Sequence, residues 1–329
     1  LCGWLALGWR RGIRPRHAAV AVAVATALAI AILLFPGNQA FWAQIHQLKP
    51  GQEMLLAEGR SGLAVLRHSN GAGELFLQGY SQSRIPFLPI HMMLGAVGPL
   101  VHPDPQSVFV IGVGIGGTPY GAGVNARTTL IHAIELVRPV YEVIEAYAQR
   151  HPASATATMW RDPRYRFDLG DGRREIFLSG NRYDVIEADA ILPQSSHSGL
   201  LYSREFMAQV RASLKPGGIA VQWASTDRTI ATFRSVFPHV VLLRPGSILL
   251  GSDRPIAFDQ ARLRARLAEA PVARYLLRAG IDMQTLVERF AAPPLIWSHD
   301  DPPDVDINTD LFPRDEFYFN NSVQLRPRP

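Results

Sequence analysis

The residues best suited to chemistry lie between Ser107 and Glu135. Val108-Phe109-Val110-Ile111 reads as a short buried strand, Gly112-Val113-Gly114-Ile115-Gly116-Gly117 as a tight turn, and Thr128–Ile134 as the next apolar strand, closing on Glu135. Glycines suit a backbone that must turn sharply and pass close to a ligand, which side chains would block. An acid about 20 residues further on can accept hydrogen bonds from both hydroxyls of a ribose. The turn therefore predicts a nucleoside site, but not which one. Gly112, Gly114 and Gly117 fit a dinucleotide pattern, whereas Gly112, Gly114 and Gly116 fit an adenosylmethionine pattern. Two more apolar runs also end on acids: Tyr165–Leu169 leads to Gly170-Asp171-Gly172, and Tyr183–Ala188 leads to Asp189.

The surrounding pattern must position these acids. Pro139–Arg150 carries Val140, Val143, Ile144 and Tyr147 at helical spacing, Ser203–Leu214 and Thr229–Phe237 read as further helices, and Ile219–Trp223 as a fifth strand. Val240–Leu243 and Ser247–Gly251 close the sheet. Alternating strands and helices of these lengths predict an α/β fold with a doubly wound parallel sheet, which binds ligands at the carboxyl ends of its strands. Ahead of it, Leu63–Leu66 and Glu74–Leu77 around Ser69-Asn70-Gly71-Ala72-Gly73 predict a hairpin, and His91–Leu100 a short apolar helix. Behind it, Asp259–Ala292 is helical and arginine-rich. The expected organisation is a membrane segment at 1–37, a small β-rich unit at 50–90, a cofactor-binding α/β domain at 91–255 and a helical tail with linker at 256–329.

Composition narrows the function classes. The net charge of +5 is spread as arginine and does not form a lysine-rich stripe, so nucleic acid is not expected as a partner. The single Cys2 excludes an internal disulfide and a cysteine-based zinc site. No metal is assigned: His132, His197 and His239 lack a paired ligand at metal spacing, and the two prolines of His299–Asp306 suit a solvated linker. Ser195-Ser196-His197-Ser198 has no Gly-x-Ser-x-Gly elbow and is expected to be a loop over the acceptor site.

Ala18–Phe35 is unbroken, apolar and uncharged, long enough to span the hydrocarbon core, and Trp42 could anchor at the interface. A lipid bilayer is therefore an expected partner through residues 18–35. A secretory signal is the rival reading, opposed by apolar Leu1–Trp9 ahead of Arg10, Arg11, Arg14 and Arg16. The opening Leu1 suggests a fragment or processed chain with spans upstream. The expected location is a membrane, with the side open.

Taken together, Val108–Gly117, Glu135, Asp162-Pro163-Arg164, Gly170-Asp171-Gly172, Tyr183-Asp184-Val185-Ile186, Leu201–Phe206 and Leu214-Lys215-Pro216-Gly217-Gly218 resemble the polyamine aminopropyltransferases, the spermidine synthase family. Ile307-Asn308-Thr309-Asp310 and Glu316-Phe317-Tyr318 resemble its bacterial branch with a fused multi-spanning membrane region. The resemblance implies a Rossmann fold like that of class I methyltransferases, a donor that is decarboxylated S-adenosylmethionine or S-adenosylmethionine, a small-molecule amine acceptor and a homodimer. It implies that Gly112, Gly114, Gly116, Glu135, Asp171 and Gly172 hold the donor, Glu135 at the ribose and Asp171 with Gly172 at the adenine. Asp189 takes the place of the catalytic base. Gln82, His91 and Tyr202 would surround the acceptor.

The sequence also departs from that family. Ile115 stands where an acid would hold the amino end of the donor, Leu192 replaces a second amine-binding acid, and Phe87-Leu88 replaces an acidic pair. Losing three carboxylates weakens the attraction for a polyamine cation. Two other readings stay open: a methyltransferase using S-adenosylmethionine, and a catalytically inactive, membrane-tethered nucleoside-binding domain.

Overall fold

The computed structural model describes residues 15–189, 191, 195, 197–244, 247–289, 291–298 and 306–317. The basic loop at Arg10, Arg11 and Arg14, the substitution at Leu192, most of the His299–Asp306 linker, and Tyr318 lie outside them. The chain divides into two compact units, Leu1–Gly51 and Gln52–Pro329.

The first unit contains α1 (Pro15–Leu34) and α2 (Asn38–Ile45). Alanine, valine, isoleucine and leucine surround α1 on every side, and Ile32, Leu33 and Leu34 are 74–82% exposed. Its 20 residues rise about 30 Å, the depth of a hydrocarbon core. Among the described residues it is the one helix long and apolar enough to cross a membrane.

The second unit begins with a four-stranded antiparallel sheet, β1 (Glu53–Gly59), β2 (Gly62–Ser69), β3 (Ala72–Leu77) and β4 (Tyr80–Ile85), in sequential order. The hairpin expected around Gly71 joins β2 to β3. The segment after Gln78-Gly79, for which the sequence predicts no strand, is also a strand. Its polar run Tyr80-Ser81-Gln82-Ser83-Arg84 hides the apolar alternation that would announce one. The pairing of β3 with β4 steps from Leu75–Ser83 to Phe76–Ser81, so Gln82 is an extra residue without a cross-strand partner. Such a bulge twists an edge and redirects a side chain.

Next come α3 (Pro89–Val101), β5 (Ser107–Ile111), α4 (Gly117–Ala122), β6 (Leu130–Glu135), α5 (Arg138–Arg150), α6 (Ala155–Arg161), β7 (Tyr165–Leu169), α7 (Gly172–Ser179) and β8 (Tyr183–Ala188). A 3₁₀ turn at Ser198–Leu201 leads to α8 (Arg204–Ala212), β9 (Leu214–Trp223), α9 (Asp227–Arg234), β10 (His239–Leu243) and β11 (Ile248–Ser252). The tail forms α10 (Gln260–Ala268), α11 (Ala270–Arg278), α12 (Met283–Arg289), β12 (Leu295–Trp297) and α13 (Arg314–Phe317).

These strands make one sheet ordered β12-β10-β11-β9-β8-β5-β6-β7. The five strands from β9 to β7 are parallel, as expected. The other three run antiparallel. The short turn between Leu243 and Ile248 dictates this, since a parallel return needs a crossover of a dozen or more residues. The strand order reverses between β5 and β8, the switch point at which open α/β sheets form a ligand crevice beyond the carboxyl ends of their strands. Both faces of the sheet are covered. Val108, Val110, Val185, Val221 and α3 pack on one side, and Phe109, Ile111, Ile186, Phe206 and Phe233 on the other.

Several residues that carried the resemblance hold this frame. Asp184 is buried and its Oδ2 accepts from the backbone N–H groups of Gln106 and Ser107, from the Ser107 hydroxyl and from Lys215 Nζ at 2.8 Å. It ties the amino ends of β5, β8 and β9 together. A Cβ on Gly218 would lie 2.9 Å from the Lys215 carbonyl, so the turn before the rest of β9 admits no side chain there. Arg164 forks onto Asp162 and donates to the Gly123 carbonyl at 3.2 Å, bracing the end of the segment that begins with α4. Tyr120 and Tyr275 stack at 4.3 Å, each hydroxyl donating to the other's backbone carbonyl, which fixes α11 to α4.

Candidate active site

At the crevice, Gly112, Gly114 and Gly116 all have positive φ (91°, 52° and 110°). A Cβ on Gly112 would stand 2.6 Å from the Asp189 carbonyl oxygen, and one on Gly116 would stand 2.8 Å from Met159 Cε. The turn after β5 and the end of β8 are thus in backbone contact, strengthened by Asp189 N–H donating to the Ile111 carbonyl at 3.1 Å.

Glu135, at the tip of β6, is buried. Its Oε2 accepts from Val113 N–H at 3.0 Å and Gly114 N–H at 3.4 Å, and its Oε1 accepts from Val137 N–H at 3.0 Å. One carboxylate therefore shapes the glycine turn. Asp171, at the tip of β7, caps α7 by accepting from Arg173 and Arg174 N–H groups. Gly172 sits against β5, where a Cβ would meet Ile111 Cγ2 at 2.7 Å.

Asp189 and His91 meet from opposite sides of the crevice. His91, in the first turn of α3, bonds through Nδ1 to Asp189 Oδ2 at 2.7 Å, and the Thr118 hydroxyl of α4 lies 2.6 Å from the same oxygen. Thr118 Oγ1 is also 3.1 Å from the His91 carbonyl, but a hydroxyl has one proton, and the shorter, charge-assisted bond takes it. Burial alone would raise the Asp189 pKa, yet the His91 charge and the hydrogen bonds from His91 and Thr118 bring it below the ordinary range. For His91 burial lowers the pKa and Asp189 more than restores it, leaving it raised. Both shifts favour an imidazolium facing a carboxylate, and each side chain is about a fifth exposed.

Behind Asp189 on the same face of β8 lies Glu187, fully buried, with neither side-chain oxygen bonded to any described residue. Burial, then the Asp189 charge, pushes its pKa well up. Glu187 is a neutral acid that adds no negative charge beside Asp189.

The remaining candidates sit less directly. Gln82 is the half-buried bulge residue of β4. Its neighbour Ser83, which sequence reasoning passed over, accepts from Ile115 N–H at 3.1 Å and joins the small sheet to the glycine turn. Tyr202 is fully buried and its hydroxyl donates to the Ile191 carbonyl at 2.9 Å, so it anchors the chain just after Asp189. Ile115 is also fully buried. Phe87 is buried and Leu88 precedes α3, so no acid occupies those places. Thr118 had no signal in the sequence, because a threonine directly after a glycine run marks no chemistry by itself.

The tail reaches the loop that follows Asp189. Glu316 accepts from His197 N–H at 2.7 Å and from Gly199 N–H at 3.2 Å. Asp310 forks onto Arg173, and Asp315 accepts from Thr226, Asn308 and Arg228. The Asn-Thr-Asp and acidic-aromatic residues are thus fasteners of residues 197–203 and of α7, α8 and α9.

Residues 88–231 match the family model described as the spermine/spermidine synthase domain. Among curated relatives, a polyamine aminopropyltransferase of Pyrobaculum calidifontis is 30% identical over 190 residues, covering 56% of this chain and 61% of its own. One of Nitrosomonas europaea is 26% identical over 247 residues, covering 70% and 71%. One of Bacillus mycoides is 35% identical over 172 residues, covering 50% and 58%. The chain thus spans less than two thirds of the first and third of these relatives. Among solved structures, a spermidine synthase in complex with the transition state analogue AdoDATO superposes with a TM-score of 0.59 at 21% identity, over 74% of this chain and 87% of the other. The Thermotoga maritima spermidine synthase gives 0.56 at 21% identity, over 74% and 86%. These likenesses show the fold, and through residues 88–231 the chain is similar to the spermine/spermidine synthase domain and to the polyamine aminopropyltransferases.

Proposed function

We propose that the second unit transfers an aminopropyl group from decarboxylated S-adenosylmethionine to a small amine, with Asp189 and His91 as the proton-accepting pair. The observation that carries this reading is the Asp189–His91 contact of 2.7 Å set against the glycine turn, at the crevice where the strand order reverses. The glycines leave room for a nucleoside, the Glu135 carboxylate faces the turn where a ribose would lie, and Asp171 with Gly172 stands at the next strand tip.

In this reaction the amine lone pair attacks the propyl carbon beside the sulfonium. The carbon–sulfur bond breaks, its electrons stay on sulfur, and methylthioadenosine leaves as a neutral thioether. The new ammonium gives up one proton. Such a displacement needs alignment and a proton acceptor, and no covalent enzyme intermediate. With His91 protonated the pair is neutral overall and takes no proton. Once His91 is neutral, the Asp189 carboxylate orients it and the pair carries a negative charge that attracts an ammonium.

A second reading, methyl transfer from S-adenosylmethionine, is favoured by one feature: buried Ile115 brings no acid to the amino end of the donor. Calorimetric titration with decarboxylated S-adenosylmethionine, S-adenosylmethionine and methylthioadenosine decides between them. The proposal expects tightest binding of the decarboxylated donor, and failure of all three to bind would sink both readings. We also propose that α1 lies in a bilayer, so the full chain is expected to stay with membranes after alkaline carbonate extraction.

A further inference from the structure

We infer that Glu53, His68 and His151 form a binding site for a divalent transition-metal ion of the zinc type, which cross-links the small sheet to α5. Their ligand atoms all lie within 4.8 Å of one another. Glu53 and His68 face each other directly across β1 and β2, and His151 is the residue that ends α5. The three come from separate stretches of sequence, so no local spacing announces them.

His68 supplies the independent sign of a ligand. It is only 8% exposed, and its Nε2 is buried with no hydrogen-bond partner among the described residues. A buried polar nitrogen without a partner is costly, and coordination through it would remove that cost. The two imidazoles are 4.5 Å apart and tilted by 54°, with Tyr147 packed against both. This wall orients the rings as a supporting shell does in metal sites. Two nitrogens and one carboxylate favour zinc-like ions over magnesium or calcium, which prefer all-oxygen shells, and leave a fourth tetrahedral position for water. The negative end of the α5 dipole also favours a cation there. The competing contact is weak: Arg150 Nη1 is 3.9 Å from Glu53 Oε2, and both side chains are more than half exposed.

The test uses the full chain, free of tags and stripped with chelator. Zinc chloride is titrated calorimetrically, cobalt(II) absorption reports the ligand field, and urea unfolding is followed with and without zinc. The expected result is one equivalent of zinc, cobalt bands of a tetrahedral site, and a raised unfolding midpoint. His151→Ala and Glu53→Gln, at less buried positions than His68, should each weaken binding by about a hundredfold and abolish the zinc-dependent stabilisation. The inference is overturned by lack of saturable binding, or by binding and stabilisation that both variants leave unchanged.

Discussion

At the scale of single residues, the pairing of Asp189 with His91 sets the expected pH behaviour. Asp189→Asn keeps the shape but removes the charge, and release of methylthioadenosine should fall about 10²–10⁴-fold. The raised pKa of His91 predicts that kcat climbs with pH through a value above the ordinary histidine range. In His91→Gln that limb should vanish, while the limb due to the acceptor amine stays. Glu187 carries the opposite sign in stability. Its folded pKa lies above the unfolded one, so ionisation opposes folding as pH rises above the unfolded value. Wild-type stability should therefore decline relative to Glu187→Gln as pH rises above the unfolded glutamate value, which urea unfolding at several pH values measures. A parallel decline in both proteins would refute the neutral buried acid.

Among the secondary-structure elements, one glycine and one acid fix how neighbouring elements meet. Gly172→Ala would force a methyl into Ile111, and it should cost about 1–3 kcal/mol by overpacking. Asp184→Ala removes the acceptor shared by three strand ends, for an expected loss of about 2–4 kcal/mol. Burial raises the Asp184 pKa, but Lys215 and Ser107 outweigh it and leave it lowered. Its contribution is thus present above the unfolded pKa and fades as pH falls through the folded one. The sequence made much of this level readable. Glycine runs, apolar strands and strand-tip acids have short periods, and they marked the parallel strands and the crevice. It concealed β4, because polar residues on an edge strand carry no alternation. It also concealed the antiparallel strands, whose direction depends on a turn between them. Thr118, Ser83 and the Glu53–His68–His151 group were hidden for a related reason, since their meaning comes from partners far away in the chain.

Considered as a whole molecule, the loop after Asp189 is held by the tail through Glu316, while Asp310 and Asp315 fasten the tail to Arg173 of α7 and to Thr226 and Arg228 at α9. Glu316→Gln should loosen residues 197–199 without unfolding the sheet, seen as faster amide exchange confined to that loop. Unchanged exchange there would show that other contacts hold it. These fasteners span a long stretch of chain: His197 and Glu316 are 119 residues apart. At about 5–20 residues per second of synthesis, a ribosome needs roughly 6 to 24 seconds to make that interval. A nascent chain can thus complete the crevice beside Asp189 well before residues 197–199 have Glu316 to latch onto, and the proposed turnover would begin only once that helix is delivered.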